Sequence, residues 1–206
     1  MAITLPPLGL RAQPYALTSS SPSEITAAEI SPKATLLLQD FDGQGKEFRL
    51  TAPCSKVAIF NSKNFTLRLQ SKVLTSTLEV WKSSNVTILV DSTSSSLGTI
   101  QLDPTLSSVT LSFANSTLAG SIILSPSRNS GSFGFTDLKI AIDGQSPVVL
   151  ADEEGKLHEP QDPKTILVPG RDSQSVPEQW VVKYGEHGWR ADTLARGAKE
   201  YPVLNP

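Results

Sequence analysis

Apolar and polar residues alternate in short runs from about Lys56 to Asp143, and these runs recur at a nearly fixed spacing. The segment Val57–Leu69 is followed by Leu78–Val90. In each segment an apolar run leads to a polar corner that ends in Asn, and then to a Thr between apolar residues. The corner residues Asn64 and Asn85 are 21 positions apart. The pattern predicts repeated strands rather than helices.

Two further copies extend the repeat. Val109 lies 23 positions after Val86, and the run Leu138–Ile142 follows a longer insertion. A fixed period of roughly 20–25 residues indicates a repeat protein. A repeat built of strands can bury its apolar face only by stacking on its neighbours. We therefore predict an all-β protein, a β-solenoid.

Period-2 alternation assigns the residues that face the interior of this solenoid. They are Val57, Ile59, Phe65, Leu67, Leu69, Leu78, Val80, Val86, Ile88, Val90, Ile100, Leu102, Val109, Leu111 and Phe113. The polar corners at 61–64 and 82–85 are predicted to be turns, because Asn tolerates a left-handed backbone. A β-sandwich, with strands about every 8–12 residues, would show the same alternation of apolar and polar residues. The longer period of the repeat favours the solenoid over the sandwich.

One domain is expected at 34–195, with a tail at each end. Residues 1–33 are rich in Pro and Ser and are predicted to form a flexible N-terminal tail, and residues 196–206 a C-terminal tail. The segment Phe41–Leu50 is predicted as a strand, a Gly-containing turn and a second strand. Such a hairpin would cap the first coil.

A terminal hairpin is predicted within 177–195. The aromatic strands Trp180–Tyr184 and Trp189–Leu194 are joined by a loop with Gly at both ends, which is a strong hairpin pattern. Trp180, Val182 and Tyr184 share one face by period 2. The hairpin is expected either to cap its own coils or to exchange with a second copy, and the sequence leaves both open.

Composition and charge narrow the class of partner. Of the 206 residues, 38% are hydrophobic and 18% are charged, which favours a folded protein over a disordered one. The net charge of −2 gives no attraction to nucleic acid or anionic membranes, so neither is an expected partner. The sequence has no recognisable secretory signal or membrane span, so the cytoplasm is the expected location.

Catalytic chemistry is not expected. His158 and His187 are the two histidines, and neither has the spacing of a catalytic triad or of metal ligands. Asp91, Asp103 and Asp143 are scattered, whereas the β-helical enzymes that cleave polysaccharides need clustered carboxylates. The lone cysteine, Cys54, is expected to be a small buried hydrophobe. We therefore expect a binding module without cofactor or metal.

Several segments resemble one known family. Gly45–Leu50 is similar to its opening strand, Thr66–Lys72 to its coils, and Ile166–Pro169 followed by Val176–Trp180 to the motif before its last hairpin. The family is the C-terminal, actin-binding domain of cyclase-associated proteins, the CARP or C-CAP domain. It is related in outline to tubulin-folding cofactor C and the retinitis pigmentosa 2 protein. The resemblance covers about residues 34–195.

This resemblance implies a right-handed parallel β-helix that binds monomeric actin and promotes actin nucleotide exchange and filament turnover. It also implies a homodimer made by exchange of the C-terminal hairpin. The hairpin residues are Pro177, Glu178, Gln179, Trp180, Val182, Tyr184 and Trp189. The candidate actin contacts are Lys63, Arg68, Lys72 and Lys82 on the coils, with Lys183, Glu186 and Arg190 on the hairpin.

Two alternatives remain. Relatives of cofactor C that activate GTP hydrolysis use an arginine finger within a coil motif of the form Gln-x-Arg-x-His. Neither Gln70 nor Gln101 begins that pattern, and Arg68 precedes its Gln. The other alternative is a structural β-helix that binds another protein.

Overall fold

The computed structural model of the chain describes residues 14–103, 105–125, 135–152, 165–168 and 179–194. These residues form a parallel β-solenoid of about five turns that ends in antiparallel strands. Each coil gives one strand to each of two eight-stranded sheets, A and B. The predicted solenoid is therefore confirmed, and the sandwich is wrong because consecutive coils pair in parallel.

Sheet A contains, in spatial order, β1 (Tyr15–Ala16), β3 (Thr35–Gln39), β5 (Lys56–Phe60), β7 (Thr77–Trp81), β9 (Leu97–Leu102), β11 (Ala119–Leu124), β15 (Trp180–Gly185) and β16 (Gly188–Thr193). Sheet B contains β14 (Thr165–Val168), β13 (Val148–Asp152), β12 (Leu138–Ile142), β10 (Ser107–Phe113), β8 (Ser84–Val90), β6 (Lys63–Leu69), β4 (Asp42–Leu50) and β2 (Glu24–Ile25). A short 3-10 helix, Ser116–Leu118, joins β10 to β11.

Apolar columns that run in register across the coils build the interior. Leu36, Val57, Leu78, Ile100 and Ile122 lie side by side on neighbouring strands of sheet A, and all are fully buried. Every residue that the alternation assigns to the interior is buried, which confirms that assignment. Each coil thus covers the apolar edge that the preceding coil leaves open.

Left-handed backbone conformations mark the corner where sheet A passes to sheet B. Asn61 and Lys82 have φ values of 47° and 46°, and Asn64 and Asn85 have values of 58° and 51°. Asn85 Nδ2 donates to Asn64 Oδ1 at 2.9 Å, and Asn64 Nδ2 donates to Asp42 Oδ1 at 3.1 Å. This ladder joins three coils. The predicted turns are confirmed at 61–62 and 82–83, whereas 63–64 and 84–85 already belong to β6 and β8.

Residues 14–33 form the first coil, which corrects the predicted tail over that range. β1 pairs with β3 and β2 with β4, both in parallel, and Leu17, Ile25 and Ile30 are buried in the core. Strands of two residues carry too little periodicity to be recognised in a sequence. The remainder of that tail, 1–13, and the C-terminal tail at 196–206 lie outside the described residues.

β4 is one strand rather than the predicted hairpin. It pairs in parallel with both β6 and β2, and its register shifts between Asp42 and Lys46. Gln44 and Gly45 have φ values of 53° and 77°, so this segment forms a bulge that bends the strand without reversing it. A Gly inside a strand pattern marks a bulge as readily as a turn, and the sequence did not separate the two.

The terminal hairpin forms as predicted, from β15 and β16. β15 pairs antiparallel with β11, so the hairpin extends sheet A of its own coil stack. In sheet B, β13 pairs antiparallel with β12 and β14 pairs in parallel with β13. β14 and β16 are in contact, so the last strands of the two sheets meet at this end of the solenoid.

Candidate protein-binding surfaces

Lys63 and Lys82 lie on consecutive coils at the corner between the sheets, and both side chains are exposed. Lys82 Nζ lies 5.8 Å from the centre of the Phe60 ring, which is within the range of a cation–π interaction. Lys63 Nζ lies 3.6 Å from Asp42 Oδ2. This surface, called the lysine corner below, presents cations, an aromatic ring and a carboxylate together.

Two buried serines hold the inside of the lysine corner. Ser83 Oγ donates to Trp81 O at 2.7 Å and accepts from the Ser62 N–H at 3.3 Å. Ser62 Oγ donates to Phe60 O at 2.8 Å and accepts from the Phe41 N–H at 3.3 Å. Each hydroxyl satisfies backbone groups of two coils, so the backbone positions of the lysines outside are fixed.

Arg68 lies on the outward face of sheet B between two carboxylates. Its Nε donates to Glu47 Oε1 at 3.2 Å and its Nη1 to Asp91 Oδ1 at 3.0 Å. Glu47 Oε1 also accepts from Arg49 Nε at 3.0 Å, and Asp91 Oδ2 accepts from Gln70 Nε2 at 2.9 Å. A partner that used Arg68 would have to break these contacts, so this candidate is weaker than the lysines.

The same network predicts a pH effect. Hydrogen bonds from Arg68 and then Arg49 lower the pKa of Glu47. A lowered pKa in the folded state stabilises the protein above the unfolded-state pKa, and this stabilisation is lost as the pH falls through the folded-state pKa. We expect Arg68→Ala to raise the Glu47 pKa toward its ordinary value, as followed by carbon NMR titration of the carboxyl group.

Arg49→Ala is the matched control for this titration. It removes the second donor to the same oxygen, and the smaller contribution of that donor predicts a smaller rise in the Glu47 pKa. A rise that is larger in Arg49→Ala than in Arg68→Ala would contradict this account of the network.

Lys72 lies at a different corner, in the connection from β6 to β7, and is exposed. β6 has seven residues, which corresponds to about 23 Å, and it separates Lys72 from Lys63. Leu74, beside Lys72, is 55% exposed. The four coil candidates therefore do not form one site, because Lys63 and Lys82 share a corner whereas Arg68 and Lys72 lie elsewhere.

The aromatic residues of the hairpin pack toward the core. Val182 is fully buried, and Trp180 and Trp189 are partly buried against the core cluster. The Tyr184 and Trp189 rings meet edge to face, with centroids 5.3 Å apart, a favourable arrangement for two aromatic rings. The predicted common face of Trp180, Val182 and Tyr184 agrees with this burial.

Side-chain hydrogen bonds between described residues join the hairpin to the coils, both where β15 begins and near the hairpin turn. Gln179 Nε2 donates to Ser125 Oγ at 2.8 Å, just before β15 begins. The side chains of Gln145 and Tyr184 are hydrogen-bonded at 3.0 Å near the hairpin turn. The hairpin is therefore connected to the end of β11 and to the turn between β12 and β13.

The charged hairpin candidates are on the surface. Lys183 and Arg190 face each other across the two strands, Glu186 is in the turn, and all three are exposed. Pro177 and Glu178, which were assigned to the same hairpin, lie outside the described residues.

Two outward aromatic residues, Phe60 and Trp81, are not among the predicted site residues. They are register partners on β5 and β7, and their rings meet edge to face with centroids 6.2 Å apart. Their neighbours Ile59 and Val80 are buried, so period 2 already places both aromatic side chains outside. That alternation was the signal available for finding them.

Reactive chemistry is sparse in the described part of the chain. Cys54 is buried, and burial raises the pKa of its thiol to about 11, so it is protonated at neutral pH and packs as a small hydrophobe, as predicted. Across the described ranges, no group of three His, Cys, Asp or Glu side chains is placed to hold a metal ion. None of the helices within those ranges has the length and hydropathy needed to span a membrane.

Comparisons of the chain with protein-family models, with curated proteins and with solved structures find no match. The resemblance to the C-CAP domain therefore depends on the motif residues themselves.

Proposed function

We propose that this protein is a cytoplasmic actin-monomer-binding module of the cyclase-associated type, which promotes nucleotide exchange on actin and filament turnover without covalent chemistry. The observation that carries the proposal is the joint placement of the motif segments and the hairpin. Gly45–Leu50 lies on β4, and Thr66–Lys72 begins on its paired neighbour in sheet B, β6, and ends in the connection to β7. The hairpin closes the last coil of sheet A, at the opposite end of the coil stack from β4.

The lysine corner is the proposed contact surface for actin. Lys63 and Lys82 are exposed on consecutive coils, their backbone is held by buried serines, and an aromatic ring lies beside them. Protein interfaces favour aromatic side chains on rigid elements. Arg68, already paired with Glu47 and Asp91, is neither the proposed actin contact nor an available arginine finger.

The direct test is the release of a fluorescent nucleotide from ADP-loaded monomeric actin, with and without the protein at micromolar concentration. Faster release is the expected result. Unchanged release, together with no binding of actin in sedimentation, would reject the proposal. Stimulation of GTP hydrolysis by a small or tubulin-type GTPase would instead favour the cofactor C alternative.

We further propose that the hairpin exchanges between two copies, so that β15 of each copy pairs with β11 of the other. The same contacts serve both arrangements, because the β11 edge accepts a hairpin from either chain. Trp189→Ala is expected to weaken the packing of the hairpin on the coils in both arrangements, the exchanged and the unexchanged one. Its large, partly buried ring predicts a loss of about 2–3 kcal/mol in the free energy of unfolding.

The Trp189→Ala prediction has two measurements. Thermal unfolding should give a lower midpoint than the parent protein, and light scattering should show a shift from dimer to monomer. Lys183→Ala, an exposed change on the other strand of the hairpin, is the control and should alter neither the midpoint nor the oligomeric state. An unchanged midpoint with an unchanged oligomeric state in Trp189→Ala would contradict hairpin exchange.

A further inference from the structure

The outward face of sheet A carries an apolar patch that does not belong to the core. Leu37 and Ala58 are register partners on β3 and β5, and Phe60 and Trp81 are partners on β5 and β7. Ala58 is only 7% exposed although the alternation of β5 places it on the outward face, between its register partners Leu37 and Glu79. These four residues are called the Trp81 patch. The other outward residues of the same three strands are polar, namely Thr35, Gln39, Lys56, Thr77 and Glu79.

Trp81 has an unsatisfied donor in this patch. Its indole Nε1 is buried, and no described residue accepts a hydrogen bond from it. A buried donor without an acceptor is unfavourable, and such groups are rare in folded proteins. The patch therefore combines an apolar surface with an N–H group that needs an acceptor such as a backbone carbonyl.

The start of the chain has the composition to cover this patch. Residues 1–13 include Ile3, Leu5, Leu8 and Leu10, contain no acidic residue, and carry one charged side chain. They lie outside the described residues, and the chain enters the fold immediately after them at β1. β1 is the strand next to β3 in sheet A, so the described chain begins beside the sheet that carries the patch.

The length of this segment is also sufficient. Trp81 lies three strands from β1 in sheet A, which is about 14 Å across the strands. It also lies about four residues further along the strand direction, so the direct path is about 20 Å. Six extended residues span about 20 Å, which separates Leu8 from Pro14. Leu5 and Leu8 can therefore reach the patch when the segment turns back over sheet A.

We propose that residues 1–13 bind across the Trp81 patch of their own chain, with Leu5 and Leu8 packing on Phe60 and Trp81 and a backbone carbonyl accepting the indole N–H. The Trp81 patch shares the Phe60 ring with the lysine corner, but the proposal requires no contact with actin and is tested without it.

The test follows the indole N–H of Trp81 in the full-length chain by ¹H–¹⁵N NMR. The three tryptophans give three indole peaks, and Trp81→Phe identifies the one that belongs to Trp81. The variant is Leu5→Asp with Leu8→Asp. Its matched control is Thr4→Asp with Gln13→Asp, which adds the same charge to the same segment without removing an apolar side chain.

The expected result is a shift of the Trp81 indole peak, with faster exchange of its proton with water, in the Leu5→Asp/Leu8→Asp variant alone. The peaks of Trp180 and Trp189 should stay in place, which shows that the fold is intact. A Trp81 peak that is identical in the parent and both variants overturns the proposal. So does a peak that responds only to protein concentration, because a second copy would then cover the patch.

Discussion

Gly120→Ala is expected to lower the free energy of unfolding by more than about 3 kcal/mol. A Cβ at this position would lie 2.2 Å from Leu97 O and 2.5 Å from Gly98 O, well inside any normal contact. Both obstacles are backbone atoms of the neighbouring strand β9, so no side chain can move aside. Urea denaturation followed by circular dichroism measures the loss directly.

Gly98→Ala is the matched control. Gly98 lies on β9, beside β11. A Cβ added there would lie 3.5 Å from Ser76 Cβ, which is an ordinary contact. We expect a change of less than about 0.5 kcal/mol. If the Gly120→Ala variant were as stable as the Gly98→Ala variant, the result would contradict the close approach of the β11 backbone to the β9 backbone.

The position of Gly120 explains why this contact exists. The 3-10 helix Ser116–Leu118 joins β10 to β11, and Gly120, the second residue of β11, lies directly against the backbone of β9. A side chain on that face would hold β11 away from β9. The sequence shows a Gly in a strand-like run there, but only the stacked geometry shows which backbone it meets.

The core was predictable because one physical rule repeats in every coil. Alternation fixes which side chains point inward, and a constant offset such as that from Asn64 to Asn85 fixes which coils stack. The hydrogen bond between those two side chains shows the offset as a direct contact. The terminal hairpin was predictable for a similar reason, since its Gly residues and aromatic strands are all local signals.

The ends of the solenoid were less predictable, because their structure depends on tertiary contacts. Residues 14–33 fold only because β3 and β4 offer edges for two-residue strands, and nothing local marks them. The bulge at Gln44 and Gly45 likewise depends on β6 continuing beside it. In both places the neighbouring coil overrides weak local preference.

The candidate surface was predictable as a set of charges but not as a site. The pairing of Arg68 with Glu47 and Asp91 needs three coils in register, and no sequence spacing shows which charges neutralise one another. The grouping of Lys63 with Lys82, and the separation of Lys72, depend in the same way on which corner each occupies.

Reversing both charges of the lysine corner, with Lys63→Glu and Lys82→Glu, is expected to reduce the acceleration of actin nucleotide release at least tenfold, about 1.4 kcal/mol of binding free energy. The physical reason is that two cations on adjacent coils become anions at the proposed interface, which gives like-charge repulsion instead of complementarity. The measurement is the rate of fluorescent nucleotide release at several protein concentrations. Thermal unfolding is recorded in parallel, and a similar midpoint is expected because both side chains are exposed.

The matched control is the double variant Lys72→Glu with Lys139→Glu. It changes the net charge by the same amount and includes one exposed lysine at another corner. It also disrupts one exposed ion pair, that of Lys139 with Asp137, just as Lys63→Glu disrupts the ion pair of Lys63 with Asp42. Near-normal nucleotide release by the control would assign the effect to the lysine corner rather than to overall charge. Equal losses in the two variants would show that actin senses only the total charge of the protein, and the lysine corner would then not be the contact surface. If neither variant altered an acceleration that the parent protein does produce, the lysine corner would not be the contact surface, and the exposed hairpin residues Lys183 and Arg190 would be changed next.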